Sequence, residues 1–188
     1  MDRDKLARIE GPNLVLRLIE TEDAGYVHGL RTDARYNRYL SEVRGTVEDQ
    51  RRWIDNYKSR EAAGSEFYYV IERKDGVRCG VVRLYDIDQD SFTWGSWILD
   101  ENKPSKAALE SALLSFGAAF ETLCLNQGNI DVRLGNERAI SFYNRMHMVE
   151  MRRTNLAIYY VYARERYEHD RSEFRRLIAD VVHSREDT

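Results

Sequence analysis

"NIDVRLGNERAISFYNRM", Asn129 to Met146, decides the fold, because its hydrophobic period changes once and in one place. Up to Leu134 apolar and polar residues alternate, the period-two pattern of a half-buried strand. Beyond Gly135 the period becomes helical, and Ala139, Phe142, Tyr143 and Met146 fall on one face. Asn136 stands between the two, where its side-chain oxygen can cap the first helical turn. The segment reads as a strand running directly into a capped helix. Taken alone, that pattern explains Tyr143 by core packing.

Toward the N-terminus, "SKAALESALLSFGAAFETLCL" (Ser105 to Leu125) is a long amphipathic helix with Leu109, Leu113, Phe116, Phe120 and Leu123 at helical spacing. Before it, "EFYYVIER", "VRCGVVRLY" and "SFTWGSWIL" are β-branched and aromatic runs separated by the turn segments "KDG" and "DIDQD". Three consecutive antiparallel strands follow. The long helix must then carry the chain to the strand before Gly135, which calls for a right-handed parallel crossover in an otherwise antiparallel sheet. Where parallel and antiparallel parts meet, strands splay and a ligand crevice is expected.

The flanks complete the order. "LVLRLIE" (Leu14 to Glu20) alternates like a strand, and "TEDAGYVHGLRTD" reads as a helix with Thr21 as N-cap. A second helix starts at Thr46, with Trp53, Ile54 and Tyr57 on its apolar face, and "RYNRYLSEVRG" before it is either a loop or a short helix over the cleft. "MVEMRR" and "LAIYYVY" form a closing strand pair. A charged helix follows from about Ala163, with Tyr167, Phe174, Leu177, Ile178 and Val181 on one stripe. The expected fold is a single-domain α/β protein, residues 1–162, with a mixed, mostly antiparallel sheet, helices on both faces and a C-terminal helical extension over 163–188. That last helix either packs on its own body or pairs two subunits as a homodimer.

Composition narrows the function classes. An apolar fraction of 43% with 11% aromatics fits a globular domain, and a net charge of −3 with interleaved signs excludes a basic nucleic-acid footprint. With no long apolar run and a charged start at residues 1–10, neither membrane attachment nor a leader is expected, and a cytoplasmic location is. Cys79 and Cys124 are expected as buried free thiols. His28, His147, His169 and His183 are scattered without ligand spacing, so no metal is expected. No Ser-His-Asp signature or nucleophilic-cysteine context points to a hydrolase.

The element order over Asn13 to Tyr162, and "VRLGNERAISFYNRMHM" above all, resembles the GNAT (GCN5-related N-acetyltransferase) superfamily, which uses acetyl-coenzyme A. The resemblance implies that Asn136 and Ala139 lie along the pantetheine arm. It implies that Tyr143 protonates the departing thiolate and that Arg145 reaches the phosphates. The family's pyrophosphate cradle aligns with "KPSKAA", giving Lys103, Lys106, Ala107 and Ala108, with Lys106 where glycine is usual and Pro104 lacking a donor. Ser105 is the expected cap if the lysines neutralise phosphate by side chain. A decayed cradle, in a non-catalytic or regulatory relative, is the alternative. In "FTWGSWIL" the resemblance assigns Trp97, Ile98 and Leu99 to backbone bonding of the acetyl carbonyl and pantetheine, with Gly95 permitting a bulge. Thr93 and Trp94 stand where many relatives carry a glutamate, so the general base is unassigned; Glu72 and Asp86 are remote candidates. His147 takes the place of a glycine after the helix, a structural position open to a left-handed backbone.

For the acceptor, the first half resembles acetyltransferases of nucleotide-linked amino sugars and of ribosomal-protein N-termini. Arg35, Arg38, Arg44 and Tyr39 are the expected substrate-binding residues, either for a diphosphate and base or as a solvated basic face. The expected activity is acetyl transfer to a primary amine by direct attack.

Overall fold

The computed structural model describes residues 3–183. In chain order the elements are α1 (Arg3–Ala7), β1 (Arg8–Glu10), β2 (Leu14–Leu18), α2 (Ala24–Thr32), α3 (Ala34–Asn37), α4 (Val47–Ala63), β3 (Phe67–Arg73), β4 (Arg78–Tyr85) and β5 (Ser91–Leu99). They continue with α5 (Ala107–Gly117), β6 (Gln127–Arg133), α6 (Glu137–Arg145), β7 (Val149–Arg153), β8 (Ala157–Ala163) and α7 (Arg164–His183). The eight strands form one sheet in the order β1-β2-β3-β4-β5-β6-β8-β7. Every neighbouring pair is antiparallel except β5 and β6, which the α5 crossover makes parallel.

Two cores lie on opposite faces of this sheet. One holds Trp94, Phe116, Phe120, Tyr143, Tyr162 and Tyr167 under α5, α6 and α7. The other holds Val27, Ile54, Tyr57, Tyr68 and Val81 under α2 and α4. Strand alternation explains the division, since successive side chains of β3 and β4 enter different cores. Among the described residues no helix is long and apolar enough to cross a membrane.

Several local expectations need correction. Thr21 does not cap α2: Thr21–Asp23 is a 3-10 turn whose capping box joins Glu20 and Asp23, so the helix begins at Ala24. The long helix does not run unbroken to Leu125. It ends at Gly117 and widens into a π turn over Ala118–Thr122, where the Leu123 amide reaches back to Ala118. Cys124 follows that turn at φ 59° and is exposed, whereas Cys79 is buried. On α7, Tyr167, Phe174 and Ile178 enter the main core but Leu177 is 40% exposed. The side chain of Val181 lies outside the described residues. The unpatterned segment after α2 contains α3, begun by Asp33 accepting the Arg35 amide.

Candidate active site

The parallel pairing is short. Only Ser91, Phe92 and Thr93 of β5 pair with Gln127, Gly128 and Asn129 of β6. Beyond them β5 follows β4 as far as Leu99, and β6 follows β8 as far as Arg133. The two strands diverge and open a crevice toward their C-terminal ends, the expected place for a ligand in such a sheet.

A bulge shapes one wall. Val81 pairs with Ile98 and Arg83 with Gly95, so β5 carries one residue more than β4 across this interval. The left-handed backbone falls on Ser96, φ 48°, rather than on Gly95. Both flanking tryptophans then face α5: Trp94 Nε1 donates to Ser115 Oγ at 2.9 Å and Trp97 Nε1 to Ser111 Oγ at 3.2 Å. Further along, the Asp100 amide donates to the Cys79 carbonyl across β4. By strand alternation the peptide groups of Leu99 turn the other way, toward the side from which β6 has diverged.

The opposite wall is α6. Asn136 caps it by accepting the Ala139 amide at 3.2 Å, which directs Phe142, Tyr143 and Met146 inward. Tyr143 is only 6% exposed and meets Trp94 edge-on at 6.1 Å and Tyr160 at 5.7 Å. Among the described residues nothing hydrogen-bonds its hydroxyl. Burial raises its pKa, and the charge of Asp131 adds to the rise, so the phenol holds its proton. His147 follows α6 at φ 56°, with Nδ1 2.8 Å from Asp170.

At the crevice mouth α5 begins. Its N-cap is Lys106, at φ 62° and ψ 5°, and no side chain caps the helix. Ser105 is therefore not the cap. The Ala107 amide instead reaches Pro104 O in a tight turn that leaves the cap position to Lys106. The lysine adopts the left-handed turn that glycine would supply, with its side chain exposed. Ala107 is buried and Ala108 half-buried, so no bulky group covers this helix end. An uncapped N-terminus, two small residues and an exposed ammonium fit a phosphate-bearing coenzyme. Lys103 holds its Nζ 3.1 Å from Asp100 O, and Arg145 is exposed on the last turn of α6.

On the other sheet face, residues 33–40 cross the crevice. Arg35 pairs with Asp33 at 2.7 Å and with Glu101, just after β5, at 3.1 Å. Tyr39 lies against the turn before α6, where a Cβ on Gly135 would meet its ring at 3.1 Å. Arg38 stacks 5.3 Å from the Tyr39 ring and is exposed. Behind them are residues that sequence reading passed over. Arg83 lies between the rings of Trp53 at 5.1 Å and Tyr85 at 4.5 Å and also bonds Glu66. The Tyr85 hydroxyl would be 3.1 Å from a Cβ on Gly95. Among the described residues, Arg31 Nε and the Tyr68 hydroxyl are buried with no hydrogen-bond partner. Their signal was the alternation of β3 and β4, which puts Tyr68, Arg83 and Tyr85 on one face. Of the earlier base candidates, Glu72 bonds Arg17 at 2.8 Å on β3, and Asp86 lies just beyond β4, beside the closed end of the crevice.

Comparison with known proteins agrees with this architecture. The acetyltransferase (GNAT) domain profile matches residues 13–149. Apo FdhC, a nucleotide-linked sugar GNAT, is 38% identical with a TM-score of 0.82, covering 89% of this chain and 96% of its own. Spermidine N-acetyltransferase from Vibrio cholerae, in complex with CoA and spermine, is 19% identical with a TM-score of 0.73, covering 84% and 99%. A probable acetyltransferase is 21% identical with a TM-score of 0.72, covering 84% and 97%. No curated protein sequence matches the chain. GNAT acetyltransferases take their acetyl group from acetyl-CoA. The strands that part after Thr93 and Asn129, and a profile match spanning both of them, make this chain a member of the GNAT acetyltransferase family.

Proposed function

We propose that the chain transfers acetyl from acetyl-CoA to the primary amine of a nucleotide-linked amino sugar. The observation that carries the transferase half is the crevice itself, with an unbonded, protonated phenol at Tyr143 on one wall and the bulged strand on the other. Bound acetyl-CoA supplies an activated acetyl thioester. Around it Asn136 and Ala139 line the pantetheine arm, and the backbone of Trp97 to Leu99 bonds its amides and the acetyl carbonyl. The start of α5, with Lys103, Lys106, Ala107 and Ala108, receives the pyrophosphate, and Arg145 meets a phosphate. Tyr143 delivers its proton to the sulfur as the carbon–sulfur bond breaks. The alternative of a decayed cradle loses its main support, because Lys106 forms the turn that glycine would form.

The nucleotide-sugar half rests on the acceptor face. Arg83, Arg38 and Arg152 each hold the guanidinium over an aromatic ring, an arrangement suited to diphosphate and base. Arg35 and Tyr39 join the segment that closes over them. A polyamine or a basic peptide, with more than one cationic group, asks for a cluster of free carboxylates instead. Here Glu66 bonds Arg60 and Arg83, Asp100 accepts from Tyr26, and Glu101 pairs with Arg35. The likeness to FdhC supports the same reading.

The test is thiol release from acetyl-CoA in the presence of UDP- and dTDP-linked amino sugars, spermidine and a dipeptide amine. Turnover with an amino-sugar nucleotide at a kcat/KM at least tenfold above the others is expected. A preference for spermidine or the dipeptide would overturn the acceptor assignment.

A further inference from the structure

We infer that Asp131 is the general base, the carboxylate that takes a proton from the acceptor amine. The inference rests on the transferase reading above. Asp131 lies on β6 two residues beyond Asn129, the last residue paired with β5, and so on the diverging wall of the crevice. Strand alternation keeps Asn129 and Asp131 on one face, and pairing puts Thr93, Tyr85, Gly95 and Arg83 on the same face. That is the acceptor side of the sheet. Asp131 is exposed there, and among the described residues it has no ion-pair or hydrogen-bond partner. Of the other carboxylates around the crevice, Glu66, Asp100 and Glu101 are each already bonded, and Asp86 lies past β4 at the closed end rather than on a diverging wall.

The groups facing Asp131 come from every surrounding strand. Tyr159 is its partner on β8, with Arg152 of β7 stacked 4.2 Å away on the Tyr159 ring. Arg133 is two residues along β6, and Tyr85 and Arg83 lie on β4, whereas Tyr143 of α6 belongs to the opposite sheet face. After burial, the charge of Asp131 is the largest influence raising the pKa of both Tyr143 and Tyr85. The charge of Asp131 thus reaches Tyr85 on its own sheet face and Tyr143 on the other.

The proton balance is simple. A bound ammonium gives one proton to Asp131, and the freed lone pair attacks the acetyl carbonyl. The carbon–nitrogen bond forms and the carbon–sulfur bond breaks. The nitrogen sheds its second proton to solvent, and the sulfur takes the phenol proton of Tyr143. Solvent then removes the proton from Asp131 and restores that of Tyr143.

The experiment compares Asp131→Asn, Asp131→Glu and wild type by thiol release with the amines named above, from pH 6 to 9. Asp131→Thr, which suits an exposed strand position, is read in the same way should Asp131→Asn fail to fold. At pH 7 the neutral variant should lose about 100-fold in kcat/KM. The deficit should shrink at least tenfold toward pH 9, where the amine arrives already neutral. Asp131→Glu should recover part of the rate. Acetyl-CoA protection against thermal unfolding should be unchanged, and Asp86→Asn should match wild type. A loss under threefold, or a loss constant with pH, would overturn the role of Asp131 while leaving the transferase reading standing. No wild-type turnover with any of the amines would overturn both.

Discussion

Trp94 and Trp97 stand three residues apart on β5 yet face the same side of the sheet, their ring centroids 4.9 Å apart. On a regular strand an odd separation puts two side chains on opposite faces. The extra residue at Ser96 reverses the alternation, and the two indoles then meet Ser115 and Ser111, one turn apart on α5. The same bulge lies just past Thr93, the last β5 residue paired with β6, and a bulge bends the strand that carries it. Packing and crevice thus share one cause.

Ser115→Ala should test that coupling. It leaves the Trp94 N–H buried without an acceptor, a loss of about 1–3 kcal/mol. In a chain of this size the midpoint should fall by about 2–4 °C per kcal/mol. Ser111→Ala should lose less, because Trp97 is only half-buried. Thermal unfolding of both variants decides it, and equal, negligible losses would contradict the account.

Tyr143→Phe should fold normally, since among the described residues no group bonds the hydroxyl, and should lower kcat about 100-fold. The sign of the pKa shift adds a second reading. Burial raises the phenol above its ordinary value near 10, so it remains an acid throughout the neutral and mildly alkaline range. Wild-type kcat should show no falling limb up to about pH 9.5. A limb below pH 9 that disappears in Tyr143→Phe would contradict the raised value.

Lys106→Gly separates backbone from charge at the start of α5. Glycine removes a left-handed strain of about 1 kcal/mol, partly offset by its freer unfolded chain. Stability should be equal or higher, while acetyl-CoA affinity falls severalfold and depends less on salt. Calorimetric titration at two ionic strengths checks both, and unchanged affinity would remove the lysine from phosphate binding.

Asp23 sets part of the acid stability. Burial opposes its charge, yet Arg17 at 2.7 Å and the Glu20 amide hold the carboxyl below its ordinary range. A lowered carboxyl stabilises the fold above its unfolded value, near 4, and that stability drains as pH falls through the folded value. Asp23→Asn should lose about 1.5–3 kcal/mol at pH 7, because Arg17 then keeps only Glu72 as its ion-pair partner. The gap from wild type should close below about pH 4. Urea unfolding at pH 7 and pH 3 measures it; a gap that widens in acid would contradict the assignment.

The period change at Gly135 and the alternation of β3 to β5 made the sheet, the crossover and α6 legible before any coordinates. Those patterns depend on side chains in sequence order, as did the start of α4 beside Thr46. What stayed hidden depends on register. Nothing in "NIDVRL" marks Asp131, because its place on the face of Tyr85 and Arg83, just past the last β5 pairing, comes from strands that pair across long stretches of chain. Lys106 misled for a different reason: residue type argued against a left-handed turn that the surrounding Pro104–Ala107 bond imposes. Cys124 was misjudged because the helix before it ends in a π turn that no apolar period signals.

The account stands most directly on where the coenzyme's sulfur lies. A crystal structure of the protein with CoA should put that sulfur between β5 and α6, within about 3.5 Å of the Tyr143 hydroxyl, and the pyrophosphate on the amides that follow Lys106. CoA bound elsewhere, or its sulfur turned away from Tyr143, would contradict it.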